Sequence, residues 1–223
     1  MSNDSVAQVA AHVRSAVTTY GHSRIELEWR LGHRMGAFRP GVGVDAWRRL
    51  QTALDASPAF EKTFKETVEK MGDRTGVKCI QDHATGAELW MHKKRLADVD
   101  VDPTGDSVRP WSVRASVSLE EPDASPVALD LKYERRKQRW SYRHRCWTVD
   151  LTRVRSNLPA HLDDDQDAYE VEIELVDQGI LFEKTVEFVV EWGWRLANDM
   201  MALMSGSSKA EPQPQPRVMW ADM

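Results

Sequence analysis

The chain has 223 residues, with 30 Lys and Arg against 35 Asp and Glu, so its formal net charge is −5. With 41% hydrophobic and 29% charged residues it reads as an ordinary globular chain, long enough for one large domain. No apolar run reaches the roughly 18 residues that a membrane span needs, no basic stretch followed by an apolar one opens the chain as in a secretory signal, and the two cysteines, Cys79 and Cys146, make neither a disulfide scaffold nor a four-ligand zinc site, which fits a reducing compartment.

Val6, Val9, Ala10, Val13 and Val17 recur at helical spacing and predict a helix over 5–19. Residues 24–31 alternate as a strand, and Gly36, Pro40, Gly41 and Gly43 then break the chain. Asp45 is the expected N-cap of a helix over 46–56, with Trp47, Leu50 and Leu54 on one face and Pro58 beyond its end. Residues 60–71 fit helix and strand equally. Short segments over 76–81, 87–95, 111–119, 127–142, 146–154 and 168–177 read as strands. Turn signals such as Thr85-Gly86, Pro103-Thr104-Gly105 and Pro122 separate the first of them. Residues 179–204 read as one long amphipathic helix. The polar, Pro/Gln-rich stretch after it predicts a flexible tail over 205–223, leaving 1–204 as a single domain.

Charge is distributed unevenly. Residues 132–155 hold nine Lys and Arg and two acids, a block of +7. Residues 161–177 hold eight acids and no Lys or Arg, a block of −8. The small net charge is therefore a remainder of two large opposing terms.

Strand alternation sorts these charges onto faces. In Ile25-Glu26-Leu27-Glu28-Trp29-Arg30-Leu31 the acids and Arg30 share one face and the apolar residues the other. In Tyr169-Glu170-Val171-Glu172-Ile173-Glu174-Leu175 the three acids again share one face. Clustered carboxylates favour a nearby cation, and hard ions such as Mg²⁺ and Mn²⁺ prefer oxygen ligands. Arg135, Lys137, Arg139 and Ser141 share a strand face suited to polyphosphate oxygens. Asp150 and Thr152 lie on one face of a later strand, and Arg114 shares a face with Ser112, Ser116 and Ser118. Taken singly, each pattern is also what a solvated strand face looks like. Together they ask for one location where acids and cations meet. A closed barrel supplies it: apolar faces pack outward against helices, and charges of opposite sign line the bore. The expected class is α+β and mainly antiparallel β, with a closed eight-stranded barrel, a polar lumen and flanking helices. No phosphate-binding glycine loop, zinc-protease motif or cysteine-phosphatase loop occurs, and neither cysteine lies in a nucleophile motif.

The set IELEWRLG, RRKQRWSY, WTVDLT and YEVEIEL, in that order, resembles the metal-dependent RNA 5′-triphosphatases of mRNA capping, the fungal, protozoan and viral branch of the triphosphate tunnel metalloenzymes. HKKRLADVDV and WSVRASVSLEEP extend the likeness, which covers roughly residues 24–176. The resemblance implies that Glu26, Glu28, Glu172 and Glu174 bind Mn²⁺ or Mg²⁺. It implies that Glu170 contacts the water network of the metal. Arg30, Arg114, Arg135, Lys137 and Arg139 would grip the triphosphate, with Asp150 and Thr152 supporting the basic side chains. Thr148 stands where the fungal enzymes carry an Arg. The family's intervening Lys and Glu fall at Lys132 and at Glu121 or Glu134. The implied reaction is removal of the γ-phosphate from triphosphate-ended RNA, with free NTPs as further substrates. The implied location is the nucleus, or a virus-infected cell. No guanylyltransferase Lys-x-Asp-Gly motif is present, so an RNA guanylyltransferase is an expected partner and no membrane is. Two other readings remain: a tunnel-fold hydrolase of tripolyphosphate, thiamine triphosphate or nucleotides, and a non-catalytic RNA-binding module using the basic block.

Overall fold

A computed structural model of the chain describes residues 2–72, 76–101, 111–123, 132–157 and 167–206. Helix α1 (Ser2–Tyr20) leads into strands β1 (Ile25–Met35) and β2 (Ala37–Pro40), then helix α2 (Val44–Ala56). Seven strands follow: β3 (Glu61–Met71), β4 (Val77–Asp82), β5 (Glu88–Val101), β6 (Ser112–Pro122), β7 (Tyr133–His144), β8 (Trp147–Ser156) and β9 (Ala168–Leu175). Short α3 (Ile180–Glu183) and long α4 (Val186–Ser205) come last.

All pairings are antiparallel, in the order β2-β1-β6-β5-β4-β3-β7-β8-β9. β1 also pairs with β9, Glu28 opposite Glu174 and Leu31 opposite Val171. That contact closes eight strands into a barrel, with β2 as a short ninth on the tail of β1.

Alternation decides what faces out. Ile25, Leu27, Trp29 and Leu31 of β1 are buried outside the barrel, as are Val171, Ile173 and Leu175 of β9 and Trp147, Val149 and Leu151 of β8. They pack with Val9 and Val13 of α1, Trp47 and Leu50 of α2, and Val189, Leu196 and Met201 of α4 in one continuous core. Each fully buried large side chain contributes roughly 1.5–3 kcal/mol, so this outer layer, not the bore, carries the hydrophobic stabilisation. Gly193 lets α4 approach closely: a Cβ there would fall on the Trp29 indole nitrogen and the Trp147 ring.

The elements depart from expectation in a few places. Residues 61–71 are a strand, because tertiary pairing with β7 over eleven positions outweighs a mixed local pattern. The helix expected over 179–204 is interrupted: Lys184 and Thr185 are extended, and the Thr185 hydroxyl accepts a hydrogen bond from the Phe188 N–H at 3.3 Å to cap α4. Asp45 is not the N-cap of α2. Gly43 is, without a side-chain bond, and Asp45 lies in the first turn. The helix α4 runs to Ser205 and Gly206 ends it in the left-handed region, so the expected tail starts later than 205 and otherwise lies outside the described residues. The strand expected over 127–142 starts at Tyr133, with 127–131 outside the described residues. No helix among the described residues is long and apolar enough to cross a membrane.

Candidate active site: a charged tunnel

The other side of the same alternation builds the bore. β1 turns Glu26, Glu28 and Arg30 inward, β9 turns Glu172 and Glu174, and β7 turns Arg135, Lys137 and Arg139. β3 adds Glu69, β4 adds Lys78, β5 adds Lys93 and β6 adds Glu120. They surround a cavity of about 590 Å³. On β5 the register with β6 slips between Arg95 and Ala97. This bulge keeps Lys93, Arg95, Asp98 and Asp100 on one face although their spacing breaks the period of two.

Acids and bases interleave. Lys93 Nζ lies 2.5 Å from Glu26 Oε2, 3.6 Å from Glu28 Oε1 and 3.8 Å from Glu120 Oε1. The Arg30 Nε donates to Glu28 Oε1 at 2.7 Å and stands 3.7 Å from Glu172 Oε1. Lys137 Nζ is 2.7 Å from Glu69 Oε2, and Arg135 Nη2 donates to Glu170 Oε1 at 2.6 Å. The Arg139 guanidinium donates to Asp150 Oδ2 at 2.8 Å and reaches Glu172 Oε2 at 3.4 Å. Asp150 and Thr152 are buried beneath this cluster, and Asp150 orients Arg139 from behind.

The local fields differ along the bore. Burial, followed by the Glu28 charge, raises the Glu26 carboxyl to about 7, with Lys93 opposing. Burial, then Glu26 and Asp150, raises Glu174 to about 8. Burial works against Glu69 too, but Lys137, Lys78 and Arg135 outweigh it and hold the carboxyl at about 2. Glu172 is likewise lowered despite burial, by Arg139, Lys137, Arg30 and Lys93. Burial depresses the Lys137 ammonium, Glu69 notwithstanding, and Arg135 and Arg139 add to the depression. The Glu69–Lys137 pair is thus asymmetric: the carboxylate gains several cations, the ammonium one close carboxylate. The bore has a cationic side around β7 and an acidic side around β1 and β9.

Whether the acidic side suits a divalent cation is tested by Glu174. It opens onto the lumen, makes no hydrogen bond or ion pair among the described residues, and is held protonated well above the carboxylate range. A buried oxygen of its neighbour Asp150, Oδ1, has no hydrogen-bond partner. A carboxyl with no cation in contact, beside other carboxyl oxygens, fits a hard divalent ion. Among the described residues no group of acids converges as it stands to coordinate one, because Glu26 and Glu28 are turned to Lys93 and Arg30.

The structure thus brings Glu26, Glu28, Arg30, Arg135, Lys137, Arg139, Glu172 and Glu174 around one cavity. Glu170 stands beside it on Arg135. Arg114 lies outside that central group: its guanidinium donates to Asp100 at 2.6 Å and packs 4.7 Å from the Phe38 ring. The expected positions of the intervening Lys and Glu are corrected. Lys132 is exposed just before β7, Glu134 pairs with Arg136 on the outer face, and Glu121 pairs with Arg24 outside the bore. The lysines and further acids that do line the bore are Lys78, Lys93, Glu69 and Glu120. Strand alternation alone could have placed Glu69 once β3 was known to be a strand, and Lys78 lies on β4.

The chain matches the model of the family described as "mRNA capping enzyme, beta chain" over residues 52–187. It is 28% identical over 186 residues to the 5′ RNA triphosphatase A449R of Paramecium bursaria Chlorella virus 1, covering 82% of this chain and 91% of that one. Its fold is similar to that of the Pct1 RNA triphosphatase of S. pombe, with a TM-score of 0.70 and 16% identity over 90% of this chain and 92% of that one. Pct1 has also been solved in complex with the Spt5 CTD. The RNA triphosphatase domain of a trifunctional mimivirus mRNA capping enzyme gives a TM-score of 0.56 at 11% identity, over 90% and 97%. With the matched span covering more than half of its length, the chain belongs to the mRNA capping enzyme beta-chain family.

Proposed function

We propose that this chain is an RNA 5′-triphosphatase that removes the γ-phosphate from triphosphate-ended pre-mRNA, the first step of capping, leaving diphosphate-ended RNA and phosphate. Family membership supports the reaction. The observation that carries the site is the facing of Arg135, Lys137 and Arg139 by Glu26, Glu28, Glu172 and Glu174 across one closed bore. Neither cysteine enters it: burial raises both thiols, and Cys79 and Cys146 sit away from the cavity. A phospho-enzyme is therefore not required, and water is the acceptor.

The cations bind the triphosphate oxygens and, being fixed by Glu69, Asp150 and Glu172, need no reorganisation as charge develops on the transferred group. Glu170 holds Arg135, and it and Glu174 are the acids beside which an attacking water would be oriented. Glu26, Glu28, Glu172 and Glu174 would hold Mn²⁺ or Mg²⁺, which when bound supplies Lewis-acid polarisation of the γ-phosphoryl oxygens. Substrate binding draws Arg30 and Lys93 off their carboxylates toward phosphate, freeing oxygens that they now occupy. The same bore admits free NTPs. A separate guanylyltransferase would take the product, and the enzyme would work where transcripts arise, in the nucleus or in an infected cell.

The test is phosphate release from triphosphate-ended RNA, ATP and tripolyphosphate with Mg²⁺ and Mn²⁺. Glu26→Ala, Glu172→Ala and Lys137→Ala should each lower turnover by about 10²-fold or more, the scale of losing one preorganised electrostatic group. A strong preference for tripolyphosphate over RNA would move the chain to another tunnel-fold hydrolase.

A further inference from the structure

Only part of the basic block points into the bore. Arg136 of β7 and Arg153 and Arg155 of β8 have the opposite parity and lie on the outer wall, where the apolar cover of β8 stops after Leu151. With Glu66, Gln138 and Asp167 they line a groove of about 420 Å³ on the outside of β3, β7 and β8.

Arg136 and Arg155 are direct cross-strand partners. Like charges in that position repel, so the pairing is unfavourable unless an anion lies between or beside them. Each guanidinium is tethered by its Nε alone, Arg136 to Glu134 Oε1 at 2.8 Å and Arg155 to Asp167 Oδ1 at 3.0 Å. Among the described residues nothing engages their terminal nitrogens, and the side chains are 73% and 70% exposed. Arg153 shares Asp167 and is steadied by Gln138 Oε1 at 3.5 Å, and Gln138 in turn donates to Glu66 at 2.6 Å. The wall therefore holds two oriented guanidinium forks with donors unspent, the geometry that suits phosphate.

An aromatic surface lies on the same face. Phe64 of β3 is 53% exposed and stands 4.9 Å from the Trp140 ring, its cross-strand partner. Positions 140, 138 and 136 of β7 advance about 7 Å per pair of residues, so the stack and the Arg136–Arg155 pair are about 13 Å apart along the wall. Exposed rings beside arginines on an open sheet make a platform for single-stranded nucleic acid.

The wall is the outer side of the same sheet that lines the tunnel. Thr67 and Lys137 border both the inner cavity and the outer groove. Arg135, inside, and Arg136, outside, are adjacent residues close to the start of β7 and the end of β8, at one rim of the barrel.

We propose that the outer face of β3, β7 and β8 is the docking surface for the RNA chain that follows the 5′-triphosphate. Phosphodiesters take Arg136 and Arg155, and a base stacks on Phe64 as the chain leaves the mouth beside Arg135 and crosses the rim. The inference rests on the tunnel being the triphosphate site. It makes the wall the element that separates RNA from a free nucleotide.

The experiment compares wild type with Arg136→Glu/Arg155→Glu and with Phe64→Ala. Steady-state kinetics use a triphosphate-ended oligoribonucleotide and ATP under the same metal. Fluorescence anisotropy uses a labelled 5′-hydroxyl oligoribonucleotide, which has nothing to place in the tunnel. The double variant should raise KM for the RNA about tenfold and flatten the log–log salt dependence by about 1.4, as for two lost phosphate contacts on a single strand, while ATP kinetics stay unchanged. Phe64→Ala should weaken RNA without changing the salt slope. Anisotropy should show the same loss for the 5′-hydroxyl RNA. Equal changes for RNA and ATP, unchanged RNA kinetics in the double variant, or no wild-type binding of 5′-hydroxyl RNA would each overturn the proposal. If wild type binds 5′-hydroxyl RNA through these residues but releases no phosphate from triphosphate RNA, the tunnel reading fails and the wall stands.

Discussion

Replacing Glu69 by Gln removes one charge from the bore at nearly constant volume. Glu69 is buried, its Oε2 is 2.7 Å from Lys137 Nζ and 3.8 Å from Arg135 Nη1, and its carboxyl is held at about 2 instead of 4.5. That displacement corresponds to about 3 kcal/mol of preference for the ionised form in the fold. A folded value below the unfolded one contributes stability that is present above about 4.5 and lost as pH falls toward 2. The variant should therefore be less stable by about 3 kcal/mol at pH 7, and by only about 2 kcal/mol near pH 3.5, where the wild-type carboxylate has lost part of its advantage. Leaving the buried Lys137 without its closest carboxylate pushes in the same direction. Urea unfolding of both proteins at the two pH values measures the difference. A gap below about 0.5 kcal/mol at pH 7, or one that widens on acidification, would show that the pair is screened by water in the lumen and that Lys137 is fixed by something other than Glu69. Triphosphate hydrolysis should also fall, since a less protonated Lys137 binds phosphate less well.

The acidic side of the bore makes the opposite pH signature. Glu26 and Glu174 stay protonated in the fold up to about 7 and about 8, so their contribution is whole below about 4.5 and lost as pH rises through those values. Thermal melts without divalent ions should show a falling Tm from about pH 6 to about pH 8.5, and Mg²⁺ or Mn²⁺ should restore more at the upper pH, where no proton competes; an equal metal shift at both would place the ion elsewhere. Gly193→Ala would be expected to stabilise an ordinary helix by up to about 1 kcal/mol. Here the new methyl meets Trp29 and Trp147, and chemical unfolding should show a loss of roughly 1–3 kcal/mol. A gain would mean that α4 can retreat from the barrel at no penalty.

The residues that alternation exposes were readable from the chain. Glu26 and Glu28, and Glu172 and Glu174, each sit in an unbroken strand with an apolar residue between them, and Arg135, Lys137 and Arg139 recur at the same spacing with the polar Arg136 and Gln138 between, so each shared face follows from period two alone. Lys93 sits one strand register away from such clarity. It lies in a run of four consecutive polar residues, His92 to Arg95, and the bulge after Arg95 shifts parity before Asp98. Glu69 was hidden for another reason. EKTFKETVEKM carries charges on both faces, since its outer face meets water and not a helix, and only its eleven-residue pairing with β7 decides that it is a strand. The break at Thr185 depends on one capping bond that hydrophobic periodicity does not register. Arg114 faced the right way by sequence, yet Asp100 is a cross-strand partner that no local pattern announces.

The closing pair of strands bears on how the molecule is made. β1 emerges among the first residues of the chain, but one of its edges pairs with β6 and the other with β9. Until Leu175 has left the ribosome, the strand bearing Glu26 and Glu28 keeps an open edge, and its acids lack Glu172 and Glu174 beside them. The catalytic surface is then assembled in the last step of barrel closure, by contacts distant in sequence, which is the slow kind. A nascent or truncated chain ending before β9 is both inert toward phosphate and exposed to edge-to-edge association, so activity and protection from aggregation arrive together.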